Sequence, residues 1–310
     1  MKHNLLDILA QELMLDQDQV KRLIARAPHS YKTYYISKKS GGRRKICQPA
    51  KEIKAIQNII VDKVLVKLPV HEAATAYKQG ASIKKNAQVH VGNTFISKYD
   101  FKSFFTSIKG EQIKFFLVER HNVSPEDAEL IVRICCIKGR GNSLHLSIGA
   151  PSSPALSNVL MYEFDQIMTK WAKDNLFTYS RYADDMTFST NQKDKYHLID
   201  RAIRKAINNI EYLSLRLNRK KTLHLSKRSH RSVTGIVINN NGELSLGRDR
   251  KRIISSMIHH YKSQQLLESE LPRLQGLVAF AKDVEPTFFR KMIDKYGGDT
   301  IKSILQHRIN

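Results

Sequence analysis

Thr178-Tyr179-Ser180-Arg181-Tyr182-Ala183-Asp184-Asp185-Met186-Thr187-Phe188-Ser189 is the stretch on which the fold turns. β-formers flank an acidic pair on both sides, which predicts a hairpin with Asp184 and Asp185 at or next to its tip. Within a straight strand two neighbours point to opposite faces. At a turn both carboxylates can lie near one side. Adjacent acids repel, and burying either is costly unless a cation or a donor compensates. An isolated Asp-Asp reads as an exposed turn. The aromatic and β-branched flanks point instead to a semi-buried hairpin, and so toward a divalent metal, provided a third carboxylate exists.

Thr94-Phe95-Ile96-Ser97-Lys98-Tyr99-Asp100 supplies it: a strand that ends in an acid, followed by Phe101-Lys102-Ser103-Phe104-Phe105. Alone, Asp100 reads as a helix N-cap. Beside the acidic hairpin, the three carboxylates make a cluster able to hold two Mg²⁺ ions. Between them Leu146-Ser147-Ile148-Gly149-Ala150-Pro151-Ser152-Ser153-Pro154 opens a helix, with Ser153 expected as N-cap and Pro154 at the first helical position. Leu156, Val159, Leu160 and Phe164 follow as a core stripe, and the glycine lets backbone approach a ligand closely.

Outward from this centre, residues 4–26 read as two short helices ended by Pro28. Residues 31–36 and 46–49 read as strands joined at Gly41-Gly42, a hairpin whose tip carries Lys38, Lys39, Arg43, Arg44 and Lys45. Such a tip serves equally as a solvated loop or as a grip on a phosphate chain. An amphipathic helix is expected over 51–68. Asn86 and His90 share a face if their segment is helical, a spacing more often used for packing than for chemistry. Helices follow at 110–120, 125–138 and 196–212, with Gly139-Arg140-Gly141-Asn142 as a break. The most basic tract holds Arg216, Arg219, Lys220, Lys221, Lys227, Arg228, Arg231, Arg248, Arg250, Lys251 and Arg252. Inside it, 233–238 and 243–246 read as two strands joined by Asn-Asn-Asn-Gly, and 250–310 as a helical C-terminal unit.

The 310 residues suffice for one large domain or two to three subdomains. With 52 Lys+Arg against 29 Asp+Glu, the net charge of +23 favours a polyanionic partner, nucleic acid first. A membrane surface comes second, and no strongly basic amphipathic helix with an aromatic face supports it. No apolar run approaches the ~20 residues of a membrane span, and the N-terminus lacks a signal-peptide core. The expectation is a soluble, cytoplasmic protein. Cys47, Cys135 and Cys136 form no C-x-x-C pair and read as buried thiols rather than a disulfide framework or a zinc site. His259-His260 lacks partners at metal-ligand spacing.

An acid closing one strand, a Tyr-Ala-Asp-Asp hairpin roughly 85 residues later and a Gly-Ala-Pro-Ser-Ser-Pro loop between them resemble the palm of reverse transcriptases, over about residues 31–247. Asn86-Ala87-Gln88-Val89-His90 and Val233-Thr234-Gly235 look like the N-A-x-x-H and V-T-G elements of retron reverse transcriptases in particular. The length fits that group, without room for a ribonuclease H domain or an endonuclease. The resemblance implies an α+β right-hand polymerase: N-terminal helices 1–27, fingers 28–92 and 110–149, a palm with an antiparallel sheet at 93–109 and 150–247, and a helical thumb 248–310.

By the same resemblance, Asp100, Asp184 and Asp185, helped by the Phe101 carbonyl, hold two Mg²⁺ ions. Lys38, Lys39 and Arg44 clamp the triphosphate of a dNTP, and Gly149 and Ala150 pack on the nucleotide. Phe105 takes the place of the steric gate that rejects a 2′-hydroxyl; its other reading is a core Phe, which adjacent Phe104 is expected to be. Lys220 or Lys221 matches the region that protonates departing pyrophosphate, though phosphate contact or solvation explains a lysine equally well. Asn86, His90, Arg219, Lys221, Val233, Thr234, Gly235, Arg248, Arg250, Lys251 and Arg252 are expected along the nucleic acid. One departure is Ile148, where many relatives carry Gln; altered nucleotide affinity is expected, not lost chemistry. The implied partners are a structured noncoding RNA that primes from a guanosine 2′-hydroxyl, its branched DNA product, an effector protein in antiphage defence, and a host ribonuclease H. The alternatives are a group II intron-like or diversity-generating reverse transcriptase and a non-catalytic RNA-binding scaffold. A nucleotide cyclase with a palm-like fold would explain neither the charge nor the other motifs.

Overall fold

In the computed structural model, residues 4–38, 41–141 and 143–307 are described. Helix α1 (Leu5–Leu13) starts where the Asn4 side chain accepts from the Asp7 N–H, and α2 (Gln17–Arg26) starts at an Asp16/Gln19 capping box. Strands β1 (Tyr31–Ser37) and β2 (Arg43–Pro49) pair antiparallel. Helix α3 (Lys51–Lys63) is shorter than expected, because the chain tightens over Leu65–Lys67 and sends Leu65, not Val64, into the core. Helix α4 (Ile83–Gln88) is capped by Ser82. After β3 (Phe95–Asp100) come α5 (Phe104–Ser107), α6 (Gly110–Phe115) and α7 (Pro125–Cys135). Helix α7 stops short of 138 because Ile137–Lys138, as β4, pairs antiparallel with β5 (Leu144–His145) across the glycine-rich break.

Helix α8 (Ser152–Leu160) begins one residue before the expected cap. The Ser153 hydroxyl is occupied elsewhere, accepting from the Ser147 N–H at 3.3 Å, so it does not cap the helix. Then follow α9 (Tyr162–Asp174), β6 (Thr178–Tyr182), β7 (Asp185–Thr190), α10 (His197–Asn208) and β8 (Leu223–Leu225). The stretch 233–238 is two strands, β9 (Ser232–Val233) and β10 (Ile236–Ile238), not one. Thr234 and Gly235, at φ +47° and +81°, form the two-residue turn that pairs Val233 with Ile236. Strand β11 (Leu244–Ser245) and helices α11 (Arg248–Lys262), α12 (Leu271–Val284), α13 (Pro286–Tyr296) and α14 (Gly298–Gln306) complete the described chain.

The chain divides into two compact units, Met1–Ala81 with Ser97–His224, and Ser82–Ile96 with Leu225–Asn310. In the first, a four-stranded sheet runs β6-β7-β3-β8. The strand that ends in Asp100 therefore lies beside the strand that begins at Asp185. Leu156, Val159, Leu160, Phe164 and Met168 from α8 and α9 share one core with Tyr99, Phe101, Met186 and Phe188. In the second unit, the sheet β11-β10-β9 and helices α11–α14 enclose Val233, Ile236, Ile254, Ile258, Leu274, Val278 and Ile301, together with Ala87 of α4. The fold is the mixed helix and antiparallel-sheet class expected. Cys47, Cys135 and Cys136 are free, buried thiols. No helix among the described residues is long and apolar enough to cross a membrane.

Candidate active site

The β6–β7 register pairs Tyr182 with Asp185, leaving Ala183 and Asp184 as the loop. Asp184 sits on the turn and Asp185 opens β7, while β3 delivers Asp100 from the neighbouring position in the sheet. One carboxylate oxygen from each of the three lies within 4.8 Å of the others. Three hard oxygen donors at this spacing, with no nitrogen or sulfur, suit a hard divalent cation rather than zinc.

Asp100 is buried and held on both oxygens. Asn218 Nδ2 donates to Oδ1 at 3.1 Å and Lys221 Nζ to Oδ2 at 2.7 Å, while the Asn218 N–H donates to the Asp100 carbonyl at 2.7 Å. Phe101 is bridged to Leu217 on the same side. Burial and then the Asp100 charge push the Asp184 carboxyl up. Burial, then Asp184, then Asp100 push Asp185 from 3.8 to about 6, against the pull of Lys98 and Lys221. Like charges held this close call for a cation.

The turn itself is braced from inside. Ala183 is buried with φ +58°, a left-handed conformation that an alanine adopts only under constraint. Arg181 Nη1 donates to the Ala183 carbonyl at 2.9 Å and to Asn158 Oδ1 at 3.2 Å. Its Nε and Nη2 fork onto Asp165, at 2.8 and 2.6 Å, and the Tyr179 hydroxyl donates to the same carboxylate at 2.7 Å. Arg181 and Asp165 are both fully buried. A fully buried guanidinium needs such a partner, but no local motif announces that Asp165 and Asn158 provide it.

Residues 36–238 match the family model described as reverse transcriptase (RNA-dependent DNA polymerase). The chain belongs to the reverse transcriptase family. Retron Ec83 reverse transcriptase of Escherichia coli is 37% identical over 289 residues, covering 92% of this chain and 93% of that one. Retron Ec73 reverse transcriptase, also from Escherichia coli, is 33% identical over 88% of this chain and 89% of that one. Retron Ec86 reverse transcriptase of the same organism is 29% identical over 95% and 91%. The chain is a retron-type reverse transcriptase, an RNA-directed DNA polymerase.

Around the carboxylates of this reverse transcriptase, the other expected residues sort by position. Arg44 is exposed on β2, and its charge acts on Asp184. Lys38 is exposed where the β1–β2 hairpin closes, its N–H donating to the Gly42 carbonyl at 2.9 Å. Lys39 lies outside the described residues. Phe104 is a core residue stacked on Phe101, whereas Phe105 is half-buried and meets Phe104 edge-on at 5.3 Å. The Gly149 backbone, at φ +114°, lies so close to β2 that a Cβ would sit 2.8 Å from Ile46 Cγ2 and 3.1 Å from the Cys47 carbonyl oxygen. Cys47 N–H donates to the Ile148 carbonyl at 2.8 Å, and Ala150 is buried. Of the paired lysines, Lys221 reaches Asp100, while Lys220 and Arg219 stand exposed.

In the second unit, the two retron-like elements meet. Thr234 Oγ1 donates to the Ile83 carbonyl at 3.1 Å, and Asn86 Nδ2 donates to Thr234 Oγ1 at 3.4 Å. Asn86, His90 and Val233 are buried within that unit, and burial pushes the His90 imidazole down to about 3, so it is neutral. Gly235 is exposed. Arg250 lies over the Phe280 ring and donates to the Gly235 carbonyl, and Lys251 pairs with Glu285. Arg248 and Arg252 are exposed. Sequence reasoning missed Asn218, whose only signal was its place beside the Arg219-Lys220-Lys221 run.

Proposed function

We propose that this reverse transcriptase copies part of a structured noncoding RNA into single-stranded DNA that stays joined to the RNA through a 2′ branch, within a bacterial antiphage system. The observation that carries the chemistry is the Asp100–Asp184–Asp185 cluster, three oxygen donors within 4.8 Å beside Lys221. Its all-oxygen donor set fits two Mg²⁺ ions. When bound, the ions activate the primer hydroxyl and neutralise the triphosphate.

The chain's own residues do the rest. Asn218 and Lys221 orient Asp100. Lys221 is the cation of the pair that can hand a proton to the leaving pyrophosphate. Lys38, Lys39 and Arg44 hold the triphosphate oxygens, with the planar Arg44 fork giving paired contacts. Phe105 closes the space a 2′-hydroxyl would need, and the Gly149–Ala150 backbone supports the nucleotide. Exposed Arg219, Arg248 and Arg252 face phosphates of the RNA and its DNA copy. The β1–β2 hairpin belongs to the fingers, the four-stranded sheet to the palm and α11–α14 to the thumb. An effector protein and a host ribonuclease H act on the complex and its product.

The test is to sequence nucleic acid that co-purifies with the wild-type protein and with an Asp184→Asn/Asp185→Asn variant, before and after RNase and debranching treatment. Short DNA of one sequence, 2′-5′-linked to RNA and absent from the variant, is expected. DNA primed from a 3′ end would point to a group II intron-like or diversity-generating relative. RNA without DNA in both samples would favour a scaffold and overturn the reading.

A further inference from the structure

Tyr77 lies at the end of a segment that is stitched to the catalytic hairpin. Arg181 N–H donates to the Ala73 carbonyl at 2.8 Å, and the Thr75 N–H returns a bond to the Arg181 carbonyl at 2.8 Å. Thr75 Oγ1 donates to that same carbonyl at 3.0 Å, and Asn158 Nδ2 donates to the Ala76 carbonyl at 2.7 Å. The tether ends in strain. Tyr77 has φ +57°, which a bulky aromatic residue adopts only when its surroundings impose it. The same buried Asn158–Arg181 pair thus constrains two left-handed residues, Ala183 through its own carbonyl and Tyr77 through the carbonyl before it.

Burial in a core would repay such strain, but Tyr77 is 48% exposed. The ring lies 6.4 Å from that of Tyr182, the residue leading into the catalytic turn, at an interplanar angle of 40°. The phenol is pushed up by burial first and by the Asp184 charge next, and it is pulled down by Arg44. The ring therefore stands within the fields of both the carboxylate cluster and the basic hairpin.

We propose that Tyr77 is a base-stacking residue of the polymerase site, forming with Tyr182 an aromatic platform for the nascent base pair, and that Asn158 and Arg181 are the positioning residues that hold its backbone. This rests on the polymerase reading above. Aromatic faces accept any base, so the contact supports every templating position alike. Loss of one stacked base corresponds to roughly a tenfold or larger loss of affinity.

The experiment is primer extension by the full-length protein, on its co-purified RNA and on poly(rA) primed with oligo(dT), with kcat, KM for dTTP and Tm measured for each variant. Tyr77→Phe is expected within about twofold of wild type. Tyr77→Leu is expected to raise KM about tenfold while kcat changes little. Tyr77→Gly is expected to raise KM similarly while Tm rises, because glycine carries no left-handed penalty. A merely structural ring would instead make Tm and activity fall together. Wild-type KM in the Leu and Gly variants, or losses that track Tm alone, would overturn the inference and leave the polymerase reading standing. A wild-type protein that makes no DNA on either template would sink both.

Discussion

Asp165→Asn isolates the brace behind the catalytic turn. The substitution keeps shape and volume but removes the carboxylate paired with Arg181, a guanidinium with no exposed surface. Three of the Arg181 hydrogen bonds end on Asp165, at 2.8, 3.1 and 2.6 Å, and the Tyr179 hydroxyl donates to it too. Breaking one side of a buried pair costs about 3–5 kcal/mol, because the remaining charge stays desolvated. At about 2–4 °C per kcal/mol for a chain of this size, Tm falls by about 6–20 °C. Urea unfolding monitored by circular dichroism measures the loss directly. The companion Asp165→Leu/Arg181→Met double variant removes both charges and should recover most of that stability, yet stay defective in DNA synthesis, since the Ala183 carbonyl has lost its Nη1 donor. A loss below about 1 kcal/mol for Asp165→Asn would mean the pair is not the brace described. Normal synthesis by a stable double variant would remove the link to the catalytic turn.

Two further perturbations test the site from other directions. Asp185 has its carboxyl raised from 3.8 to about 6. In the metal-free chain its stability contribution is therefore full below about 3.8 and lost as pH rises through about 6. Because Asp185 still meets solvent, the screened size is about 1 kcal/mol. The Tm of Asp185→Asn minus that of wild type should grow between pH 4 and pH 6, level off above, and shrink when Mg²⁺ is added; a flat difference refutes this. Gly149→Ala places a Cβ 2.8 Å from Ile46 Cγ2 and 3.1 Å from the Cys47 carbonyl oxygen at φ +114°. It should cost about 2 kcal/mol or more and raise KM for dNTPs, as urea melts and primer extension would read. Unchanged stability would show that β2 yields to it.

The acidic hairpin was legible because every part of its signal is local. β-formers on both sides, an acid pair at the bend and a strand closing in Asp100 are patterns read from neighbours alone. Where the structure departs from the sequence pattern, the atoms concerned are committed to partners outside that pattern. Ser153 is a good cap by composition, but its hydroxyl serves the Ser147 N–H, and the helix starts at Ser152, two residues before the expected Pro154. Val233 to Ile238 reads as one β-branched run. It breaks at Thr234-Gly235, where the Thr234 hydroxyl is bonded to the Ile83 carbonyl, 151 residues away. Asn86 and His90 are buried within their unit, which spacing alone does not tell.

The same distinction separates the cations of this +23 chain. Lys221 and Arg44 keep exposed surface, and both pull the pKa of Asp184 down through their field. A field acts through space and is screened by salt. Excess basic residues around an acidic pair therefore mark such a site in sequence even when their contacts are unknown. Arg181 is the opposite case. Its charge is cancelled by Asp165 in a dry environment, so it adds little net field; what it contributes is the direction of five N–H bonds. Direction cannot be read from composition. A charge count favours a polyanionic partner, whereas the turn that carries Asp184 is held by one buried arginine whose charge the count treats like all the others.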